Sequence, residues 1–195
     1  MESAPGFFGP DLPEGLSYRQ DFISAAEEAE LARAIGHVEF SAFEMRGVVA
    51  RRRVAFYGAT YDAAREASGP IPEFLFPTRR RIAEWAGVDP DAFAMALINE
   101  YRPGAPIGWH RDAPQYGIIG GISLLEPCRM KFRRYVAPRD VEPGRKAARK
   151  ATHEIELLPR SAYLITGPAR SQYEHSIPAV SALRYSITFR TLRRP

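Results

Sequence analysis

Short apolar segments alternate with Pro/Gly turns through the second half of the chain, from about residue 94 onward. Such a pattern of short, regularly spaced apolar segments is typical of an all-β sandwich or barrel. Six of the segments are predicted to be strands: Ala94–Tyr101, Gly120–Leu125, Arg129–Val136, His153–Leu158, Ala162–Thr166 and Leu183–Leu192.

Two helical patterns precede these strands. Ser24 and Glu27 match a capping box, and the Ala/Glu-rich run that follows them predicts a helix to about Ile35. A second helix is predicted from Thr78 to Ala86, with Gly87 as its C-terminal cap. We therefore expect two N-terminal helices that pack against a C-terminal β structure.

The composition excludes several classes of protein. With 195 residues, 45% of them hydrophobic and 26% charged, the chain has the make-up of one globular domain. We expect residues 1–93 to form an N-terminal extension and residues 94–195 the β core. No apolar run approaches the roughly 20 residues of a membrane helix and no secretion signal is evident, so we expect a cytoplasmic monomer without a membrane partner. The single cysteine, Cys128, excludes an internal disulfide framework.

Positive charge is concentrated in one segment. The chain has 27 Lys and Arg against 23 Asp and Glu, but residues 129–150 alone contain nine basic and two acidic residues. Because basic side chains bind the phosphates of nucleic acids, this segment is a candidate contact surface. The candidate residues are Arg133, Arg134, Arg145, Lys146, Arg149 and Lys150. A solvated basic loop is the alternative.

Two histidines and an aspartate make a candidate metal site. His110 and Asp112 would project from the same face of an extended strand, and His175 lies 65 residues further along. Two histidines and one carboxylate form the facial triad of non-haem Fe(II) oxygenases. Each part also has an ordinary explanation, since His110 and Asp112 can hydrogen-bond to each other on a surface turn.

Polar residues share one face in two other predicted strands. In the last strand, arginines and small polar residues alternate with apolar ones, and the polar positions are Arg184, Ser186, Thr188 and Arg190. Burying two arginines is costly unless a ligand such as a dicarboxylate pairs with them. A half-exposed edge strand with solvated arginines is the alternative. Asn99 and Tyr101 likewise share a face of the strand that leads towards His110.

In chain order, these motifs resemble those of the AlkB family of Fe(II)- and 2-oxoglutarate-dependent dioxygenases. They are Asn99-x-Tyr101, Pro103-Gly104, His110-x-Asp112, the distant His175, and Arg184-x-Ser186 followed by Arg190. The resemblance covers about half of the chain, from Leu97 to Arg190. It implies an α+β, mainly β fold with a double-stranded β-helix (jelly-roll) core against which the N-terminal helices pack.

The resemblance also implies the cofactors and their ligands. His110, Asp112 and His175 would bind Fe(II). Arg184 and Arg190 would bind the carboxylates of the co-substrate 2-oxoglutarate, Arg184 at the distal end and Arg190 nearer the metal. The remaining co-substrate residues would be Asn99, Tyr101 and Ser186, the last of which is often Asn in the family. The third reactant would be O2.

Family membership further implies oxidative dealkylation of N-alkylated bases in DNA, with release of formaldehyde, succinate and CO2. The damaged base must leave the helical stack to react, and Tyr57 and Tyr61 are candidates to stack on it, although both could instead be core residues. The position after the metal aspartate is often acidic in the family, whereas here Ala113 follows Asp112. Methylated RNA such as tRNA, a protein substrate, and a jelly-roll that binds nucleic acid without catalysis remain open.

Overall fold

Two antiparallel β-sheets pack face to face at the centre of the molecule. The computed structural model describes residues 12–45, 48–59, 69–137 and 153–193 of the chain. In chain order the strands of this part are β1 (Leu16–Arg19), β2 (Ser41–Met45), β3 (Val48–Gly58), β4 (Met95–Tyr101), β5 (Ile107–His110), β6 (Tyr116–Leu124), β7 (Cys128–Arg134), β8 (His153–Leu157), β9 (Ala162–Ile165), β10 (Tyr173–Ile177) and β11 (Arg184–Leu192). Within the described residues, the larger sheet has the order β1-β9-β6-β11-β4-β3-β2 and the smaller sheet the order β5-β10-β7-β8.

The helices are α1 (Ala25–Ile35), α2 (Phe76–Ala86) and the short α3 (Gly167–Ser171). The predicted capping box of α1 is confirmed, since Ser24 and Glu27 each accept a backbone N–H of the other. Gly87 ends α2 in the left-handed region at φ 68°, which glycine adopts without steric cost. Among the described helices, none is long and apolar enough to cross a membrane.

The larger sheet separates two apolar cores. On its outer face, α1 and α2 contribute residues such as Leu31 and Ile82, which pack with Ile187 and Phe189 of β11. On its inner face, residues such as Tyr163 pack against the smaller sheet. This arrangement confirms the expected mainly β fold with two sheets in a jelly-roll and helices packed against it.

Three strands in the described N-terminal half were not predicted. β1, β2 and β3 all join the larger sheet, where we expected helices only. β3 was missed because Arg51, Arg52 and Arg53 interrupt its apolar pattern, so the segment has no obvious strand-like alternation. The second half of this eleven-residue strand, Arg53–Gly58, pairs with β4, and this pairing brings β3 to the edge of the candidate site.

Candidate active site

The three candidate metal ligands meet at one end of the smaller sheet. His110 ends β5 and lies directly opposite His175 of β10 in the strand pairing. Asp112 follows just after the end of β5, so it reaches the histidines from a turn and not from within the strand. One ligand atom from each of the three residues lies within 4.8 Å of the others. This spacing suits a single metal ion.

The protonation states in this cluster also suit a cation. Burial opposes ionisation of Asp112, but the charge and hydrogen bond of Arg190, whose Nη2 lies 2.8 Å from Oδ1, outweigh it together with the two neighbouring histidines. The pKa of Asp112 is therefore held well below its usual range. Burial and the neighbouring His110 lower the pKa of His175 to about 3. At neutral pH the site therefore offers a carboxylate and a neutral imidazole, the forms that bind metals.

A backbone contact fixes the orientation of His110. Its Nδ1 lies 2.9 Å from the carbonyl oxygen of Gly108, and since a carbonyl can only accept, Nδ1 carries the proton. Nε2 is then the nitrogen left for a metal. Such an outer hydrogen bond is the usual way in which proteins set the tautomer of a ligating histidine.

At the start of β11 lies a buried arginine with an unused donor. Arg184 is fully buried, and its Nε and Nη2 donate to Oγ of Ser123 over 3.2 and 3.0 Å. Its guanidinium carbon lies 5.0 Å from the centre of the Tyr101 ring. Among the described residues, Nη1 has no hydrogen-bond partner. Leaving a charged donor unpaired is costly, so this position fits the carboxylate of a bound anion such as 2-oxoglutarate.

The other expected co-substrate residues surround this arginine. In the pairing of β4, β11 and β6, Asn99, Ser186 and Ser123 occupy one row across three adjacent strands. Tyr101 pairs with Arg184 in the next row. The sheet thus presents hydroxyl, amide and guanidinium groups side by side. Arg190 lies at the other end of β11 and binds Asp112, so the two arginines stand at opposite ends of the candidate co-substrate site.

Beside the triad is a cavity of about 260 Å³. It contains two of the triad residues, three arginines, an amide and several apolar or aromatic side chains. Its described lining residues are Arg52, Phe56, Met95, Leu97, Asn99, Ile107, Gly108, Trp109, His110, Arg111, Asp112, Ala113, Tyr116 and Arg190. A cavity of this polarity, open next to a metal site, is suited to a planar ring with polar substituents.

The cavity contains residues of β3 that sequence reasoning missed. Arg52 and Phe56 line it, whereas Tyr57, the residue expected to stack on a base, points to the other face of β3 and packs against the outer core. Had 48–58 been recognised as a strand, alternation would have placed Arg52 and Phe56 on one face and Tyr57 on the other. The second expected stacking residue, Tyr61, lies outside the described residues.

The expected phosphate contacts on β7 are mostly engaged within the protein. Arg133 is buried, its Nε lies 2.5 Å from Oε1 of Glu174, and its guanidinium lies 4.0 Å from the centre of the Trp109 ring. A phosphate contact by Arg133 would have to break this buried ion pair. Arg134 is exposed, although it donates to Gln172. The remaining expected contacts, Arg145, Lys146, Arg149 and Lys150, lie outside the described residues.

Another residue missed from the sequence is Arg170 of α3. It is buried, and its Nη2 donates to the carbonyl oxygens of Ala113 and Tyr116 over 2.5 and 3.0 Å. These contacts hold the turn that follows Asp112. No sequence motif pointed to Arg170, since its partners are backbone atoms more than 50 positions away.

Comparison with known proteins defines the class to which this fold and site belong. The model of the 2OG-Fe(II) oxygenase superfamily matches residues 15–190. The chain therefore belongs to this superfamily of oxygenases, which use Fe(II), 2-oxoglutarate and O2. The triad of His110, Asp112 and His175 and the open donor of Arg184 fit the metal and the co-substrate that this chemistry requires.

Within the superfamily, the chain is of the AlkB type. It is 29% identical over 178 residues to the "Alkylated DNA repair protein ALKBH8 homolog" of Arabidopsis thaliana, covering 84% of this chain and 51% of that protein. It is 23% identical to the "Probable RNA/DNA demethylase ALKBH6" of Danio rerio, covering 87% of this chain and 72% of that protein. The chain thus spans about half the length of the Arabidopsis relative.

Two solved structures show the same fold. OsALKBH1 superposes with a TM-score of 0.65 at 14% identity, over 92% of this chain and 99% of that one. A Pseudomonas putida prolyl-4-hydroxylase superposes with a TM-score of 0.60 at 13% identity, over 93% of this chain and 94% of that one. Because a prolyl-4-hydroxylase and an ALKBH protein both share the fold of this chain, the fold alone does not identify the substrate.

Proposed function

We propose that the protein removes alkyl groups from ring nitrogen atoms of bases in DNA. The observation that carries the proposal is the facial triad, two of whose residues line a cavity, together with a buried, incompletely paired Arg184 on β11. The names of the two curated relatives, which concern alkylated DNA and RNA/DNA demethylation, support nucleic acid as the polymer.

Each group in the site has a distinct task in this reaction. His110, Asp112 and His175 would hold Fe(II), which together with 2-oxoglutarate and O2 would supply the oxidising power. Arg184 would hold the distal carboxylate of 2-oxoglutarate, and Asn99, Tyr101 and Ser186 would complete its binding site. The pairing of β4 with β11 places these four residues next to one another, Arg184 opposite Tyr101 and Ser186 opposite Asn99.

The cavity positions the base and its alkyl group. A base flipped out of the stack would enter the cavity beside side chains such as Phe56 and Trp109, with its N-alkyl group towards the triad residues that line the same cavity. For a methyl group, the base, O2 and 2-oxoglutarate yield the base with an N–H, formaldehyde, succinate and CO2. Arg190 keeps Asp112 ionised and oriented throughout.

The test is turnover of single-stranded DNA oligonucleotides that carry one N-methylated base, with Fe(II), ascorbate and 2-oxoglutarate. We expect the oligonucleotide to lose one methyl group by mass, with equal amounts of formaldehyde and succinate. Asp112→Ala should abolish both products, while Asp91→Ala, at an exposed carboxylate on the surface, should not. Succinate formation that no nucleic acid stimulates, without formaldehyde, would contradict the proposal.

RNA is the second candidate substrate, because the name of the Danio rerio relative includes it. The same methylated sequence prepared as RNA and as DNA separates the two. A ratio of kcat/KM above about ten in favour of RNA would reassign the protein to RNA. If Asp112→Ala acts like the unaltered protein, the iron chemistry itself is wrong and a binding role without catalysis takes its place.

A further inference from the structure

The charges on the cavity wall are strongly biased. Among the described lining residues, three are arginines, Arg52, Arg111 and Arg190, and the one carboxylate is Asp112. Asp112 is already paired with Arg190 and belongs to the triad. Ala113, which follows Asp112 in the chain and also lines the cavity, contributes no carboxylate. When bound, Fe(II) and the 2-oxoglutarate dianion cancel each other's charge, so a base that enters the cavity faces an excess of positive charge.

The three cavity arginines differ in their environments. Arg111 is exposed and Arg190 binds Asp112. Arg52, in contrast, lies in the cavity wall beside Asn99. It is buried in the cavity wall with 8% of its surface exposed. Its Nε donates to Oδ1 of Asn99 over 3.3 Å, which ties the guanidinium to the neighbouring strand. Asn99 is itself held by the pairing of β4 with β3 and β11. A guanidinium stays charged under all physiological conditions and only donates hydrogen bonds.

The two arginines next to Arg52 in the sequence have different environments. Arg53 points to the opposite face of β3 and binds Glu100 through two hydrogen bonds of 2.8 Å. Arg51 is exposed and approaches the carbonyl of Gly104 at 3.5 Å. Of the three consecutive arginines, Arg52 is therefore the one that lines the cavity.

N-alkylated bases divide into two electrostatic classes. A methyl group at N1 of adenine or N3 of cytosine gives a cationic ring with an amino group beside it, whose N–H can only donate. A methyl group at N3 of thymine or uracil gives a neutral ring flanked by two carbonyl oxygens, and one at N1 of guanine gives a neutral ring with one neighbouring carbonyl oxygen. A fixed guanidinium repels the first class and donates hydrogen bonds to the second.

We propose that the cavity selects neutral N-alkylated bases that present a carbonyl oxygen, and that Arg52 is the residue that makes this selection. The inference rests on the proposed function, because it names the class of base that the same site accepts. Arg52 is a specificity residue here, distinct from the groups that hold the metal.

The test compares two oligonucleotides that differ only in the lesion, N3-methyluracil or N3-methylcytosine. The methyl group occupies the same ring position in both, while the neighbouring carbonyl and the neutral ring of the first become an amino group and a cation in the second. We expect kcat/KM for N3-methyluracil to exceed that for N3-methylcytosine by at least about tenfold. Arg52→Gln should lower this ratio about tenfold or invert it.

Matched variants separate selection from a general loss of structure. Arg52→Lys keeps the positive charge and should retain a preference for the neutral base. Arg51→Gln, one position away at the exposed side, should leave the ratio unchanged. The KM for 2-oxoglutarate is measured alongside, because Arg52 contacts Asn99. A merely structural role for Arg52 would lower both rates together and leave their ratio intact, which would overturn the inference.

The remaining outcomes are equally distinct. Equal turnover of the two lesions by the unaltered protein, or a preference for N3-methylcytosine, overturns the inference and leaves the proposed dealkylation standing. No turnover of either oligonucleotide overturns the proposed function and this inference with it.

Discussion

At the scale of single residues, Arg184 has a costly environment for a charged side chain. It is fully buried, contacts Ser123 through two nitrogens and leaves Nη1 without a partner among the described residues. Burying an unpaired charged donor lowers the stability of the fold, and a bound carboxylate would remove this cost by accepting the free N–H. A bound carboxylate would therefore account for an arginine at this buried position of β11.

We expect Arg184→Gln to weaken 2-oxoglutarate binding about 30- to 100-fold, since one or two charge-assisted hydrogen bonds are lost. The dissociation constant is measured by calorimetry, without turnover, in the presence of Mn(II). Arg102→Gln, an exposed arginine bound to Glu100, serves as the control and should have no effect. Unchanged affinity in Arg184→Gln would remove this residue from the co-substrate site.

Glu100 shows a different use of charge, for stability and not for ligand binding. Two hydrogen bonds from Arg53 and one from Arg102 outweigh the effect of burial and lower the pKa of Glu100 below its ordinary value of 4.5. Because the folded state favours the ionised form, the pair stabilises the fold above about pH 4.5. That contribution is lost as the pH falls from 4.5 through the lower pKa of the folded state.

We therefore expect Glu100→Gln to lower the free energy of unfolding by about 1 kcal/mol at pH 7. The effect is modest because the side chain of Arg53 is 39% exposed and solvent screens the pair. Denaturant unfolding at pH 7 and near pH 3.5 should show the gap between variant and unaltered protein narrowing at acid pH. Glu84→Gln, on the exposed side of α2, should show no such convergence, and a gap independent of pH would refute the assignment.

At the scale of elements, β6 carries two glycines that let neighbours approach from both faces. A Cβ atom on Gly120 would lie 2.3 Å from a methyl carbon of Ile82 on α2. A Cβ on Gly121 would lie 2.2 Å from the ring of Tyr163, on the inner face. The absence of side chains at these two positions thus permits the close packing of helix, sheet and inner core.

We expect Gly121→Ala to destabilise the fold by about 1–3 kcal/mol, because the added methyl group forces the Tyr163 ring out of its place. In a chain of this length, that corresponds to a fall in Tm of several degrees. Gly108→Ala, where a Cβ meets no atom within 4 Å, is the matched control for thermal unfolding. Combining Gly121→Ala with Tyr163→Leu should restore part of the loss, and failure to do so would point to a different cause.

Elements also differ in how far the sequence specified them. β11 was predicted with the correct faces, because its polar and apolar residues alternate strictly from Arg184 to Arg190. β3 was not, because its arginines occupy both faces and are accommodated separately: Arg53 by Glu100, and Arg52 by Asn99. Strand alternation is a local property, whereas these partners lie about 47 residues away.

At the scale of the whole molecule, the surroundings of the charged residues differ from what their order along the chain suggests. The basic residues of β7 suggested a phosphate-binding strand, yet three of these four residues lie beside acidic residues of adjacent strands. Lys131 lies 3.1 Å from Glu154 of β8, and Arg133 pairs with Glu174 of β10. A local count of charges cannot register partners that only strand pairing brings together, so the positive charge in the cavity is the more informative feature.

The sequence by itself determined the mainly β class, the first helix with its capping box, and the residues that the structure gathers into the triad and around Arg184. It could do so because alternation, capping and motif spacing are local patterns. The tertiary structure alone decided which residues line the cavity, bringing in Arg52 and Phe56 and directing Tyr57 to the outer core. The tertiary structure also decided which arginines form ion pairs with carboxylates, such as Arg53 with Glu100 and Arg133 with Glu174. The physical reason is the same in each case: cavity walls and ion pairs join residues from strands that are distant in sequence, and only the register of the folded sheets specifies those contacts.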